Sequence, residues 1–166
     1  MPAEATWRRG DVGGSTPAAA ARCDDCAREH ARGSAAGDLD MRPLLTSPEN
    51  AVEILEPWLG GRDRERCVLA LLDTKHRLID VTIVSVGTLD HTFMNPREIL
   101  RDALLGNAAA IIVGHNHPSG DASPSADDRV VTRRLASAAR TVGIDLLDHV
   151  VIGGGQWVSM ARLGEI

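Results

Sequence analysis

Residues 108–128 read Ala-Ala-Ala-Ile-Ile-Val-Gly-His-Asn-His-Pro-Ser-Gly-Asp-Ala-Ser-Pro-Ser-Ala-Asp-Asp. The opening run, 108–114, is continuously apolar, the pattern of a strand buried on both faces. Pro118, Gly120 and Pro124 then turn the chain sharply. A helix is expected over 124–142, with Val130, Val131, Leu135, Ala138 and Ala139 at helical spacing and Gly143 as its stop. Side-chain direction in an extended chain repeats every two residues, so His115 and His117 point the same way. The turn brings Asp128, in the first turn of the helix, back toward them. Two imidazoles and one carboxylate leave a coordination position open, which is the composition of a catalytic zinc site.

The same strand-and-helix grammar extends outward from this segment. Upstream, Ser47-Pro48-Glu49-Asn50 is a helix start, with a capping serine and a proline suited to the first turn. Val52, Leu55 and Leu59 follow on one face, and Gly60-Gly61 ends the helix. Residues 67–72 form a short apolar run and 78–86 are rich in β-branched residues, with Asp73-Thr74-Lys75-His76 between them, so a hairpin is expected. Asn95 caps a second helix that opens at Pro96 and runs to Gly106. Downstream, 144–152 and 156–159 read as strands around Gly153-Gly154-Gly155. Strands interleaved with helices predict a three-layer α/β domain.

Composition narrows the function classes. The chain has 166 residues and a net charge of −5, with three cysteines and only four aromatic side chains of Phe and Trp type. An acidic balance and so few stacking groups argue against non-specific nucleic-acid binding, although Arg129, Arg133 and Arg134 could form a local patch. No apolar stretch approaches the roughly 20 residues of a membrane span, and no secretory signal is legible, so cytoplasmic residence with no membrane partner is the expectation. An odd number of cysteines does not suit a disulfide scaffold. Residues 1–41 are dominated by Ala and Gly and offer too little apolar surface to offset chain entropy, which predicts a disordered tail before a domain at 42–166. Cys23-x-x-Cys26 with His30 supplies three soft ligands but no evident fourth, and reads as incidental thiols in that tail.

His115-x-His117, seven residues, Ser125, two residues and Asp128 match the H-x-H-x7-S-x2-D motif of the JAMM/MPN (JAB domain) metalloproteins. His-Asn-His-Pro-Ser-Gly at 115–120, Gly87-Thr88-Leu89, Pro96-Arg97-Glu98 and Leu-Leu-Asp-His-Val at 146–150 resemble the RadC-like branch of that family, over about residues 42–166. The resemblance implies a three-layer α/β/α fold with a mixed central sheet, related in its layers to cytidine deaminases. It also implies Zn2+ held by His115, His117 and Asp128. Its general base is a glutamate from an earlier strand, matched here by Glu65, with Glu98 in reserve, and Ser125 is the donor to the developing oxyanion. The implied reaction is attack of a zinc-activated water on the carbonyl of a peptide or isopeptide bond, with a peptide or protein as substrate. The alternative is a DNA-repair or replication-associated binding module with a non-catalytic metal site. Longer chains of this type carry an N-terminal helix-hairpin-helix segment, where this one has its Ala/Gly-rich stretch, so direct DNA contact is doubtful.

Plainer readings exist for each residue. Ser125-x-x-Asp128 is also a capping-box spelling. Alone it reads as a cap; with His115 and His117 it reads as ligation, and one carboxylate is not expected to do both fully. Glu65 also suits a solvated strand edge beside Arg64 or Arg66. His149 reads as a hydrogen-bonded core histidine rather than a wall of the site, His76 and His91 as solvent-facing turn residues, and Cys67 as packing. Nucleoside deaminases require Pro-Cys-x-x-Cys and His-x-Glu, which are absent from this sequence. The two-histidine, one-carboxylate set of non-haem iron oxygenases fits this loop and strand-to-helix context poorly.

Overall fold

The structure is a computed structural model that describes residues 41–87 and 94–166. The expected tail, its Cys23, Cys26 and His30, and also His91 and Thr88-Leu89, lie outside the described residues. Elements follow in the order α1 (Pro48–Leu59), β1 (Arg66–Leu72), β2 (Leu78–Val86), α2 (Pro96–Leu105), β3 (Ala110–Asn116), α3 (Ala126–Thr141), β4 (Asp145–Gly153) and β5 (Gln156–Ser159). The three helix starts are capped by Ser47, Asn95 and Ser125, whose side chains accept from Asn50 N, Arg97 N and Asp128 N respectively. Each cap satisfies a backbone N–H that the first turn leaves without a partner.

The five strands form one mixed sheet in the order β2-β1-β3-β4-β5. β1 runs antiparallel to both β2 and β3, β3 is parallel to β4 across the α3 crossover, and β5 returns antiparallel to β4. Because β1 and β3 are central, their residues are buried on both faces, which explains why they read as unbroken apolar runs rather than alternating ones. Alternation survives in where the side chains go. Val68, Ala70, Leu72, Ala110, Ile112, Val150 and Ile152 pack beneath α1 with Ala51, Leu55 and Leu59. Cys67, Leu69, Leu71, Ile111, Val113 and Leu146 pack on the opposite face with Ile99, Ala103, Leu135 and Ala139 of α2 and α3. A sheet with helices on both faces is the three-layer α/β/α arrangement with a mixed sheet. Burial pushes the Cys67 thiol up to about 12, in keeping with a packing role.

Several boundaries differ from the sequence reading, three of them within residues 108–128. β3 starts at Ala110, because Asn107 in the left-handed region (φ 52) and the Ala108 N–H bond to Ala103 O extend the exit from α2. It continues past Gly114 through His115 and Asn116, which remain in the ladder opposite Val151 and Ile152. α3 begins at Ala126 rather than Pro124, since Ser125 is the cap. Among the described residues, no helix is long and apolar enough to cross a membrane.

Candidate metal centre

His115 is the penultimate residue of β3 and His117 lies just past its end, where its N–H still bonds Ile152 O at 2.8 Å. Both therefore face the side of the sheet covered by α3. The His115 Nε2 atom lies 3.0 Å from His117 Nε2 and 3.3 Å from Asp128 Oδ1, and His117 Nε2 lies 3.5 Å from Asp128 Oδ2. One donor atom from each of His115, His117 and Asp128 falls within 4.8 Å of the others. Ligands on a tetrahedral zinc with bonds of about 2.0–2.1 Å stand roughly 3.3 Å apart, so the donor set and its spacing fit such an ion. This group is positioned to hold a metal ion. Buried His115 and Asp128 form its floor, while His117, 14% exposed, faces outward.

The electrostatics agree that positive charge is favoured at this focus. Burial acts to raise the Asp128 carboxyl, but its contacts with His115, His117 and Ser125 outweigh it and hold the group well below the usual carboxylate range. The Asp128 carboxylate in turn raises His117 against the opposing effect of partial burial, with the Asp121 carbonyl and the Glu65 charge adding to the rise.

Asp128 is placed for two tasks, where the expectation is that it would not do both fully. Its Oδ2 accepts from Ser125 N at 2.7 Å and Ser125 Oγ at 2.6 Å, completing a capping box, while Oδ1 is turned to His115. A carboxylate has lone pairs enough for both. The Ser125 hydroxyl proton is thus directed at Asp128.

Glu65 stands immediately before β1, half-buried, with its carbonyl accepting from Gly87 N at 2.8 Å. Cys67 pairs with His115, and Glu65, two residues earlier, is near enough to His117 for its charge to raise that imidazole. Asn116, between the two histidines and facing the other way, holds the backbone on either side of that glutamate. Its Oδ1 accepts from Arg66 N at 2.9 Å and its Nδ2 donates to Arg64 O at 3.1 Å. Glu98 is exposed in the first turn of α2 and is not one of the clustered residues. Arg129 and Arg133 both reach the Glu165 carboxylate, at 2.9 and 3.5 Å.

Sequence reasoning missed several supports of the centre. Asn116 is only the unspecified residue between the histidines in the sequence motif. His149 is fully buried, as the sequence predicts for a core histidine, but it also touches a candidate ligand, with its Nε2 2.8 Å from His115 Nδ1. Burial, and then the neighbouring His115, hold it well below the ordinary histidine value. His117 Nδ1 donates to Asp121 O at 2.7 Å. That carbonyl belongs to a loop pressed directly on the glycine turn between β4 and β5. A Cβ on Gly153 would stand 2.9 Å from Asp121 C and 3.0 Å from Ala122 N, both backbone atoms that have nowhere to go. Gly153→Ala is accordingly expected to cost about 1–3 kcal/mol through overpacking and, by displacing Asp121 O from His117, to weaken zinc binding about tenfold. A denaturant melt and a zinc competition titration check the two effects. Gly114→Ala provides the contrast, since its Cβ would come closest to side-chain rather than backbone atoms, the Cδ1 methyls of Leu55 and Leu59 at 2.9 Å. Beside His117 opens a cleft of ≈ 410 Å³, with Glu56, Gly60, Asn116, Gly120 and Gly153 in its walls.

A family model described as RadC-like JAB domain matches residues 45–165. A UPF0758 protein of Rubrobacter xylanophilus is 41% identical over 125 residues, which is 75% of this chain and 55% of that protein. A UPF0758 protein of Shouchella clausii is 40% identical over 124 residues, 75% of this chain and 54% of that one. The chain spans about half the length of these curated relatives.

Proposed function

The chain belongs to the RadC-like JAB domain family, and from that premise we propose that it is a zinc-dependent hydrolase of peptide or isopeptide bonds. What supports the reading is Glu65, just before β1 and near enough to His117 for its charge to raise that imidazole, beside the group of His115, His117 and Asp128. A solvated strand-edge glutamate does not require its flanking backbone to be fastened from both sides, as Asn116 fastens Arg64 and Arg66. When bound, a zinc-class cation supplies Lewis acidity to a water and to the scissile carbonyl. His115, His117 and Asp128 present lone pairs to it. Glu65 takes the proton of the attacking water and returns it to the departing nitrogen. Ser125 swings its O–H from Asp128 to the oxyanion as charge develops there.

A second reading, a DNA-repair or replication-associated binding module, draws on the capping box, because a cation shared by β3 and α3 would also staple those elements. The pairing of Arg129 and Arg133 with Glu165 leaves DNA contact doubtful on this view too. The test is to compare zinc-loaded and chelator-treated protein on peptide, isopeptide-linked and simple amide substrates. Zinc-dependent release of a new amine is expected. Stoichiometric zinc with no cleavage of any substrate, together with tight, salt-sensitive duplex binding, would replace the hydrolase with the binding module.

A further inference from the structure

Behind the metal centre lies a buried hydrogen-bonded chain that no part of the proposed chemistry uses. The Thr132 hydroxyl donates to Asp128 O, one helical turn back, at 2.6 Å, and lies 2.6 Å from His149 Nδ1. His149 Nε2 lies 2.8 Å from His115 Nδ1. Thr132 and His149 are both fully buried, so no solvent stands in for a missing partner.

The direction of every proton in this chain follows from one group that can only accept. A hydroxyl has a single proton, and the Asp128 carbonyl has none to give, so the Thr132 proton points at that carbonyl. The Met160 sulfur, 3.5 Å from the same hydroxyl, is also only an acceptor. Toward His149, Thr132 must therefore accept, and His149 Nδ1 carries the hydrogen. The His149 ring is buried and its two hydrogen-bond contacts, Thr132 and His115, include no carboxylate to balance a charge, so it holds one hydrogen; Nε2 is then bare and accepts from His115 Nδ1–H. His115 is left with its Nε2 lone pair turned to His117 and Asp128.

We propose that Thr132 and His149 are positioning residues that lock His115 in the Nδ1–H tautomer, so that its Nε2 is the atom offered to the cation. The chain begins on the backbone of Asp128 and ends on His115, so the acid and one imidazole of the centre are joined through the protein as well as across the focus. Thr132 can serve because it sits one turn after Asp128 on α3, where a threonine hydroxyl reaches the carbonyl four residues back. His149 can serve because β4 lies parallel beside β3, with His149 paired to Val113, two residues before His115. The inference rests on the metal-centre reading for its consequence, though not for its proton order.

The test uses ¹⁵N-labelled protein and zinc as the probe. Long-range ¹⁵N–¹H spectra of the metal-free wild type are expected to show His115 protonated on Nδ1 and bare at Nε2. Thr132→Val keeps the shape of the side chain but removes the acceptor, so His149 is expected to shift its proton to Nε2 and drive that of His115 toward the focus. Zinc affinity, measured in competition with a chromophoric chelator, should then fall about 10–100-fold, and Thr132→Ser should restore both affinity and tautomer. Loss of packing alone would lower the melting temperature without changing the tautomer. A wild-type His115 protonated on Nε2 overturns the proposal, as does a Thr132→Val protein with unchanged tautomer and affinity. If Thr132→Val does not fold, the wild-type spectrum decides. A wild type that shows the Nδ1–H tautomer but takes up no zinc removes the metal reading and leaves the proton order standing.

Discussion

Glu65→Gln is expected to leave zinc uptake at the wild-type level while lowering turnover by roughly 10²–10⁴-fold, the contribution of a positioned general base. Glutamine matches glutamate in shape and still fits beside Gly87 and the Asn116-fastened backbone. It has no carboxylate to receive a proton. Zinc uptake should be untouched because Glu65 is not among the clustered donors. Turnover on a substrate cleaved by the wild type, with metal content measured on the same samples, makes the comparison. Full activity in the variant would remove Glu65 from the chemistry, and equal loss of zinc and activity would make it a support of the centre instead.

Asp128→Ala is expected to abolish stoichiometric zinc and to destabilise the metal-free protein by about 0.5–2 kcal/mol, the usual cost of losing a helix cap. The two losses come from the two oxygens, one facing His115 and the other holding Ser125 N and Oγ. Asp128→Asn separates them, since its amide oxygen can still accept from Ser125 while the ligand charge is gone. Elemental analysis and urea melts of both variants give the comparison. Acid sensitivity supplies a further check. The Asp128 carboxyl is depressed in the folded chain, so its stabilisation is complete above the ordinary carboxylate value and fades as pH falls below it. The alanine variant should therefore lose less stability on acidification than the wild type.

How far the sequence can be read depends on how far apart the interacting groups lie along the chain. His115 and His117 were legible because period-two alternation acts between near neighbours, and Asp128 because a turn of fixed length returns the helix start to the strand end. The caps at Ser47 and Asn95 are local in the same sense. The overlap of cap and ligand at Asp128 was legible only as a conflict. Its resolution needed the orientation of the carboxylate, which depends on where β3 sets His115. Glu65 could be matched by resemblance, but its nearness to His117 comes from the pairing of β1 with β3.

The ligand types, their order and the strand-to-helix setting were determined by residues 108–128 alone, since local backbone preferences and short-range hydrogen bonds act within a few residues. Folding decided what surrounds them. Asn116 reaches across 50 and 52 positions to Arg66 and Arg64, His149 across 34 to His115, and the Gly153 turn meets the Asp121 loop. None of these pairings is encoded in the neighbourhood of either partner. They exist because β1 pairs antiparallel and β4 parallel to β3, and strand pairing of that range is set by burial of the whole sheet between two helical layers.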